Sequence, residues 1–204
     1  LIVGGCIVGL STDYFLNKEG HKVTLFDKGD LNAGASYVNA GYISPSHIIP
    51  LSAPGFMKKG LKWMFNSASP LYIKPRLKFD FLQLAWAFNK SCNKEHVERS
   101  KPILRDISLL SEAMFKEIME HAEFEAHYEK KGLLMLCRTQ KMLDIETDLL
   151  HKANAVGLSG WVLCREELQE LEPDVDVKAV GAVLFDCDAH STPPEFMKNF
   201  ESLV

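Results

Sequence analysis

The sequence shows no marked excess of either charge, no cysteine framework and no long apolar run. Its 204 residues carry 23 Lys+Arg against 27 Asp+Glu, a formal net charge of -4, with no basic stripe. That balance gives no electrostatic footprint for nucleic acid, so no nucleic-acid partner is expected. The five cysteines are scattered, without a C-x-x-C pair or an even spacing. This pattern suits reduced thiols in a cytoplasmic protein better than a disulfide scaffold. His, Cys and carboxylates are not clustered at metal-ligand spacing, so no metal site is expected. Residues 31–57 contain no Asp, Glu, Lys or Arg, yet Pro45, Pro50, Pro54 and several Ser and Asn residues interrupt them. A backbone so broken could not be satisfied in lipid and must be buried against protein or a ligand. There is no internal repeat and no low-complexity tract. What remains is an ordinary globular composition, 47% hydrophobic and 25% charged, enough for a sizeable core.

The stretch LIVGGCIVG at residues 1–9 organises the rest. Leu1-Ile2-Val3 reads as a buried strand, Gly4-Gly5 as a sharp turn, and Ile7, Val8 and Leu10 as the opening of a helix. Strand, glycine turn and helix N-terminus together form an anion site, because unpaired N–H groups and the positive helix end converge. In the fingerprint G-x-G-x-x-G, Gly4 takes the first place and Gly9 the third, while Cys6 stands in the second. A second β-rich run, Val23–Phe26, ends in Asp27. A carboxylate there, about 20 residues past the glycines, is placed to accept a ribose 2′-OH, which favours FAD or NAD(H) over NADP(H). The fingerprint does not by itself separate FAD from NAD.

From Lys28 to Pro45 small residues alternate with hydrogen-bonding ones and show neither helical nor strand period. Small side chains let backbone amides approach a bound group closely. Long loops this free of charge tend to be functional rather than merely connecting.

GGCIVGLSTDYFL, VTLFDKG and above all ASYVNAGYISPSHIIPLSAPG resemble the flavoprotein family of D-amino-acid dehydrogenases and glycine/D-amino-acid oxidases. The dehydrogenase branch is the nearer, through S-x-x-N-A-G-x-I-x-P (Ser36 to Pro45) and the A-P-G of Ala53–Gly55. The likeness continues through Gly60–Phe65 and Ser69–Leu71 and returns at Val183–Phe185 and Asp186–His190. It implies an α/β fold: a Rossmann-like FAD-binding domain, here incomplete, with an inserted α+β substrate domain. The expected division is residues 1–45 and 187–204 for the FAD domain and 46–186 for the substrate domain. The expected FAD-binding residues are Gly4, Gly5, Cys6, Ile7, Val8, Gly9, Asp27, Lys28, Ser36, Asn39, Ala40, Gly41 and Ile43, with the flavin ring near Asn39–Ile43.

The resemblance further implies oxidation of the C–N bond of D-amino acids or related small amines. A hydride passes to flavin N5, giving a keto acid and ammonia, and electrons go on to a quinone-type acceptor. An oxygen-using glycine/sarcosine-type oxidase and a non-catalytic α/β fragment without cofactor are the alternatives. Such chemistry asks the protein mainly to orient the substrate and hold its carboxylate, usually with Arg. None of Arg76, Arg99, Arg105, Arg138 or Arg165 is singled out, and carboxylate-binding residues are expected largely beyond Val204. His47 and His190 are the candidate catalytic groups, each weighed against a purely structural hydrogen-bonding role.

Elsewhere the apolar spacing predicts a helix over Ala53–Ser67, with Lys58, Lys59 and Lys62 on one side. These lysines read either as a solvated face or as contacts to anionic lipid, which would put the protein at the inner face of the cell membrane. Helices are expected at Phe79–Asn89, Lys94–His121, Gln140–Val156, Arg165–Leu171 and from Pro193 onward. Strands are expected at Phe124–Tyr128, Gly132–Arg138, Trp161–Leu163 and Val180–Phe185. A doubly wound sheet needs more parallel strands than the two visible here, so the chain is expected to be the front part of a longer protein.

Overall fold

The computed structural model describes residues 1–31, 34–57, 60, 63, 76, 78–121 and 125–204. They gather into two compact units, residues 1–46 with 108–204, and residues 47–107.

In the first unit, β1 (Ile2–Val3) pairs in parallel with β2 (Leu25–Phe26), Ile2 opposite Leu25 and Val3 opposite Phe26. Between them runs α1 (Ile7–Lys18), so the chain makes the β-α-β unit that the glycine spacing predicts. The helix stops after Lys18, where the Gly20 N–H donates to the Asn17 carbonyl and the His21 N–H to that of Leu16. Leu10 of α1 is buried against Phe196, Met197 and Phe200 on one face of α6 (Pro193–Leu203), and against Ile118. These side chains are nearly water-free, and each stabilises the unit by about 1.5–3 kcal/mol relative to exposure. The Pro193–Pro194 pair opens α6 where a missing N–H costs nothing.

A second core lies under a three-stranded antiparallel sheet ordered β4 (Leu133–Cys137), β6 (Gly181–Phe185), β5 (Trp161–Cys164). β6 is central and almost wholly buried, as a continuous apolar run should be. α4 (Gln140–Asn154) is capped by Thr139, whose hydroxyl accepts the Met142 N–H. α5 (Arg165–Leu171) starts from a capping box of Cys164 and Glu167 and buries Leu168.

Two short strands were not anticipated: β3 (Tyr42–Ile43) pairs antiparallel with β7 (Ala189–His190). The expected strand Phe124–Tyr128 does not form over 125–128; a single bridge joins Glu129 to His190 instead. His127 has φ +46°, a left-handed turn incompatible with continued pairing.

In the second unit, α2 (Phe79–Ser91) packs Phe88 edge-on against Phe56, which also meets Trp63. Of the expected Ala53–Ser67 helix, Phe56, Met57, Gly60 and Trp63 are helical, while Lys58, Lys59 and Lys62 lie outside the described residues. α3 (Lys94–Met119) runs through the boundary between the units. No helix among the described residues is long and apolar enough to cross a membrane.

Candidate functional site

Backbone geometry explains the glycines at the first turn. Gly4 has φ +107°, a region that side chains rarely enter. A Cβ on Gly9 would lie 1.8 Å from the Gly4 carbonyl oxygen, so the first turn of α1 can sit against the strand only with glycine there. Gly5 is buried, and its N–H donates to Asp27 Oδ2 at 2.8 Å. Asp27 Oδ1 accepts the Gly29 N–H at 3.0 Å. These backbone donors, Gly5 first, hold the Asp27 carboxyl below the usual carboxylate range although it is exposed. The charged form is therefore kept beside the glycine turn, with Lys28 exposed next to it.

Cys6 is the N-cap of α1, extended and without a side-chain cap bond. Its thiol is exposed and faces Gly34, whose hypothetical Cβ would lie 2.9 Å from the sulfur. Ser36 closes the same corner: its hydroxyl accepts the N–H of Ile7, one of the helix donors. Val8 is exposed on α1. The glycine turn, the charged, backbone-oriented carboxylate of Asp27 and a loop of small residues at the helix start fit a dinucleotide, with the exposed Cys6 sulfur beside Gly34.

The small-residue loop is held by its own side chain. Asn39 Nδ2 donates to the carbonyls of Ser36 (2.8 Å) and Ala35 (3.3 Å), and Asn39 Oδ1 accepts the Gly41 N–H at 2.8 Å. Asn39 and Ala40 remain exposed. Gly41 has φ +72°, and a Cβ there would lie 2.0 Å from the Ser191 carbonyl oxygen. The Ser191 N–H in turn donates to the Gly41 carbonyl at 2.9 Å. Tyr37, beside the loop, donates to Glu201 of α6, and burial with that carboxylate pushes its phenol up to about 12.

These contacts bring Ile7, Ser36, Asn39, Gly41 and Ile43 around one pocket of about 110 Å³. Five of the expected cofactor-binding residues thus meet at the start of α1. Tyr42 falls inside the expected Asn39–Ile43 stretch, whereas the rest of the lining, Phe115, Ser191, Pro193, Phe196 and Met197, is not legible in the sequence. Only the proline pair opening a helix hinted that α6 begins nearby.

The two histidines lie apart in their surroundings. His190 sits in β7, half-buried, opposite Tyr42, with Nε2 3.9 Å from Glu129 Oε2. His47 is exposed and is the first residue of the second unit.

An α/β chain with a glycine turn, an acid after the second strand and an Asn-anchored loop at the helix start has the arrangement of a dinucleotide-binding unit. The chain is a member of the family described as FAD dependent oxidoreductase (DAO), whose pattern matches residues 1–203. It is 30% identical over 204 residues to the D-amino acid dehydrogenase of Helicobacter pylori, covering all of this chain and 48% of that protein. It is 31% identical over 186 residues to that of Granulibacter bethesdensis, covering 90% of this chain and 44% of the relative. The chain therefore spans about half the length of the curated relatives it matches. Its fold is similar to the glycine oxidase of Geobacillus kaustophilus (TM-score 0.64, 20% identity, 98% of this chain and 42% of that one). The L-proline dehydrogenase of P. horikoshii gives a TM-score of 0.58 at 16% identity, over 98% of this chain and 40% of that one. FAD is the cofactor of this family.

Proposed function

We propose that the protein oxidises the C–N bond of D-amino acids or related small amines and passes the electrons to a quinone-type acceptor. The observation that carries this reading is the meeting of Ile7, Ser36, Asn39, Gly41 and Ile43 at one pocket beside the glycine turn, in a chain whose relatives are named D-amino acid dehydrogenase. Residues 1–45 and 187–204 would serve the FAD domain, and 46–186 the substrate domain.

FAD, when bound, supplies the two-electron acceptor for the amine. Asp27 takes the ribose hydroxyl with a carboxylate already oriented by Gly5 and Gly29. The first turn of α1 would present its N–H groups to the pyrophosphate, the Ile7 N–H being the one that the Ser36 hydroxyl accepts here, while the Gly4 and Gly5 N–H groups hold the strand and Asp27. Asn39 holds the Gly41 amide in place, and the Gly41–Ile43 backbone would be the part that lies against the ring. His190 and His47 are the groups proposed for proton handling near the substrate.

A peripheral membrane contact also belongs to this reading. Phe79, Leu82 and Trp86 recur at helical spacing on α2 and are largely exposed, and the Lys90 ammonium lies over the Trp86 ring. An aromatic, lysine-edged helix face suits the lipid interface.

The test is turnover of the full-length protein with D-amino acids, followed anaerobically by dye reduction and, separately in air-saturated buffer, by oxygen consumption. Dye reduction with D- but not L-amino acids, without rapid oxygen uptake, is expected. Rapid oxygen uptake would replace the dehydrogenase with an oxidase, and no turnover with any amine would overturn the enzyme reading.

A further inference from the structure

Asp188 stands apart from the residues so far given a role. It sits in the turn between β6 and β7, is 1% exposed, and points both carboxylate oxygens into the protein. Oδ1 accepts the Ser46 N–H at 2.9 Å and Oδ2 the Ser46 hydroxyl at 2.6 Å, across 142 residues of sequence. The Cys187 thiol donates to Oδ1 at 3.5 Å, and burial beside that carboxylate pushes the thiol up to about 12. The Asp188 carbonyl accepts the Gly132 N–H at 3.1 Å, tying the turn to the start of β4.

A buried carboxylate is costly unless its lone pairs are filled, so a sequence keeps one where geometry has to be fixed. Here it clamps the far end of the segment whose near end is fixed by Asn39 and by the Gly41–Ser191 pairing. Between the two anchors lies β3, in register with β7 through Tyr42–His190 and Ile43–Ala189. Gly41, Tyr42 and Ile43 line the pocket at the start of α1. One short strand is thus held at both ends.

We infer that Asp188, acting through Ser46, is a positioning residue that sets the Gly41–Ile43 backbone against the flavin. The inference rests on the proposed function of this pocket. Loss of the clamp would let β3 shift by a fraction of an ångström while leaving the glycine turn and Asp27 untouched. FAD would stay bound and its reduction by the amine would slow.

The experiment compares full-length wild type, Asp188→Asn and Ser46→Ala, each purified with FAD, by anaerobic stopped-flow reduction with a D-amino acid. Rates are expressed per bound flavin, and the visible circular dichroism of the flavin is recorded alongside. Asp188→Asn is expected to lower the limiting reduction rate about 10- to 100-fold, with FAD affinity within about threefold and an altered flavin dichroism. Ser46→Ala, the milder variant should Asp188→Asn fail to fold, is expected to move both readouts in the same direction. Wild-type rate and dichroism per bound flavin in Ser46→Ala and in any folded Asp188→Asn, even with reduced thermal stability, would overturn the positioning role alone. A wild-type flavin that no amine reduces would overturn the functional reading and this inference together.

Discussion

Replacing Gly41 with Ala tests the close approach on which the pocket depends. Two costs are expected. The first is conformational, since φ is +72° and a non-glycine residue in the left-handed region costs about 1–2 kcal/mol. The second is steric, since the new Cβ would lie 2.0 Å from the Ser191 carbonyl oxygen, a backbone atom that cannot swing aside. Relief requires β3 and β7 to separate, at about 1–3 kcal/mol for the overpacking, and weakens the 2.9 Å Ser191–Gly41 hydrogen bond by about 1 kcal/mol. The sum is about 3–6 kcal/mol. Gly20→Ala is the matched control, with φ +85° and nothing within 4 Å of the added carbon, so only the first cost applies. In thermal unfolding, at about 2–4 °C per kcal/mol for a unit of this size, Gly41→Ala should fall well below Gly20→Ala. Equal melting temperatures for the two variants would refute the close approach of Gly41 to Ser191.

Asp27→Asn should weaken FAD binding at least about tenfold in a fluorescence titration, because the neutral amide loses the charge-assisted bond to a ribose hydroxyl. Asp27 is held below its ordinary value in the folded chain, so its charged form and its contribution to FAD affinity persist below about pH 4 and are lost only as pH falls through the depressed folded value. An Asp27→Asn variant that binds FAD as tightly as the wild type would contradict that role. Cys6→Gly should tighten FAD binding severalfold by clearing the sulfur from the cradle, at a cost of only tenths of a kcal/mol for the cap; unchanged or weaker affinity would show that the sulfur does not obstruct. Glu112 is buried, which alone would raise its carboxyl, but Lys130 at 2.8 Å and Lys116 at 3.1 Å bring it below the usual range. Glu112→Gln should destabilise by about 1–2 kcal/mol in denaturant unfolding at pH 7, the half-exposed lysines keeping the figure modest, and by progressively less towards pH 3.

The helices were legible because each carries its own period and stops. Lys94–Met119, Gln140–Asn154 and Arg165–Leu171 lie within a few residues of the spans read from apolar spacing, Gly157 and Pro173. The β-α-β start was legible for a different reason, since Gly4, Gly9 and Asp27 are required by backbone geometry at fixed spacing. β3 and β7 were not legible. Two residues have no period, and both strands exist only because residues about 150 apart in sequence meet and pair. The Ser46–Asp188 clamp is hidden in the same way, for neither SPS nor DCDAH announces a partner. The expected strand Phe124–Tyr128 shows the opposite failure: its residues alternate like a strand, but over the described residues 125–128 a left-handed His127 leaves only the one bridge at Glu129.

The most direct test of the account is the visible absorption spectrum of the full-length protein before and after anaerobic addition of a D-amino-acid mixture. A flavin spectrum that bleaches is the predicted result, joining the cofactor at the glycine turn to amine oxidation in one observation. A protein that takes up no FAD even after incubation with excess cofactor would contradict it.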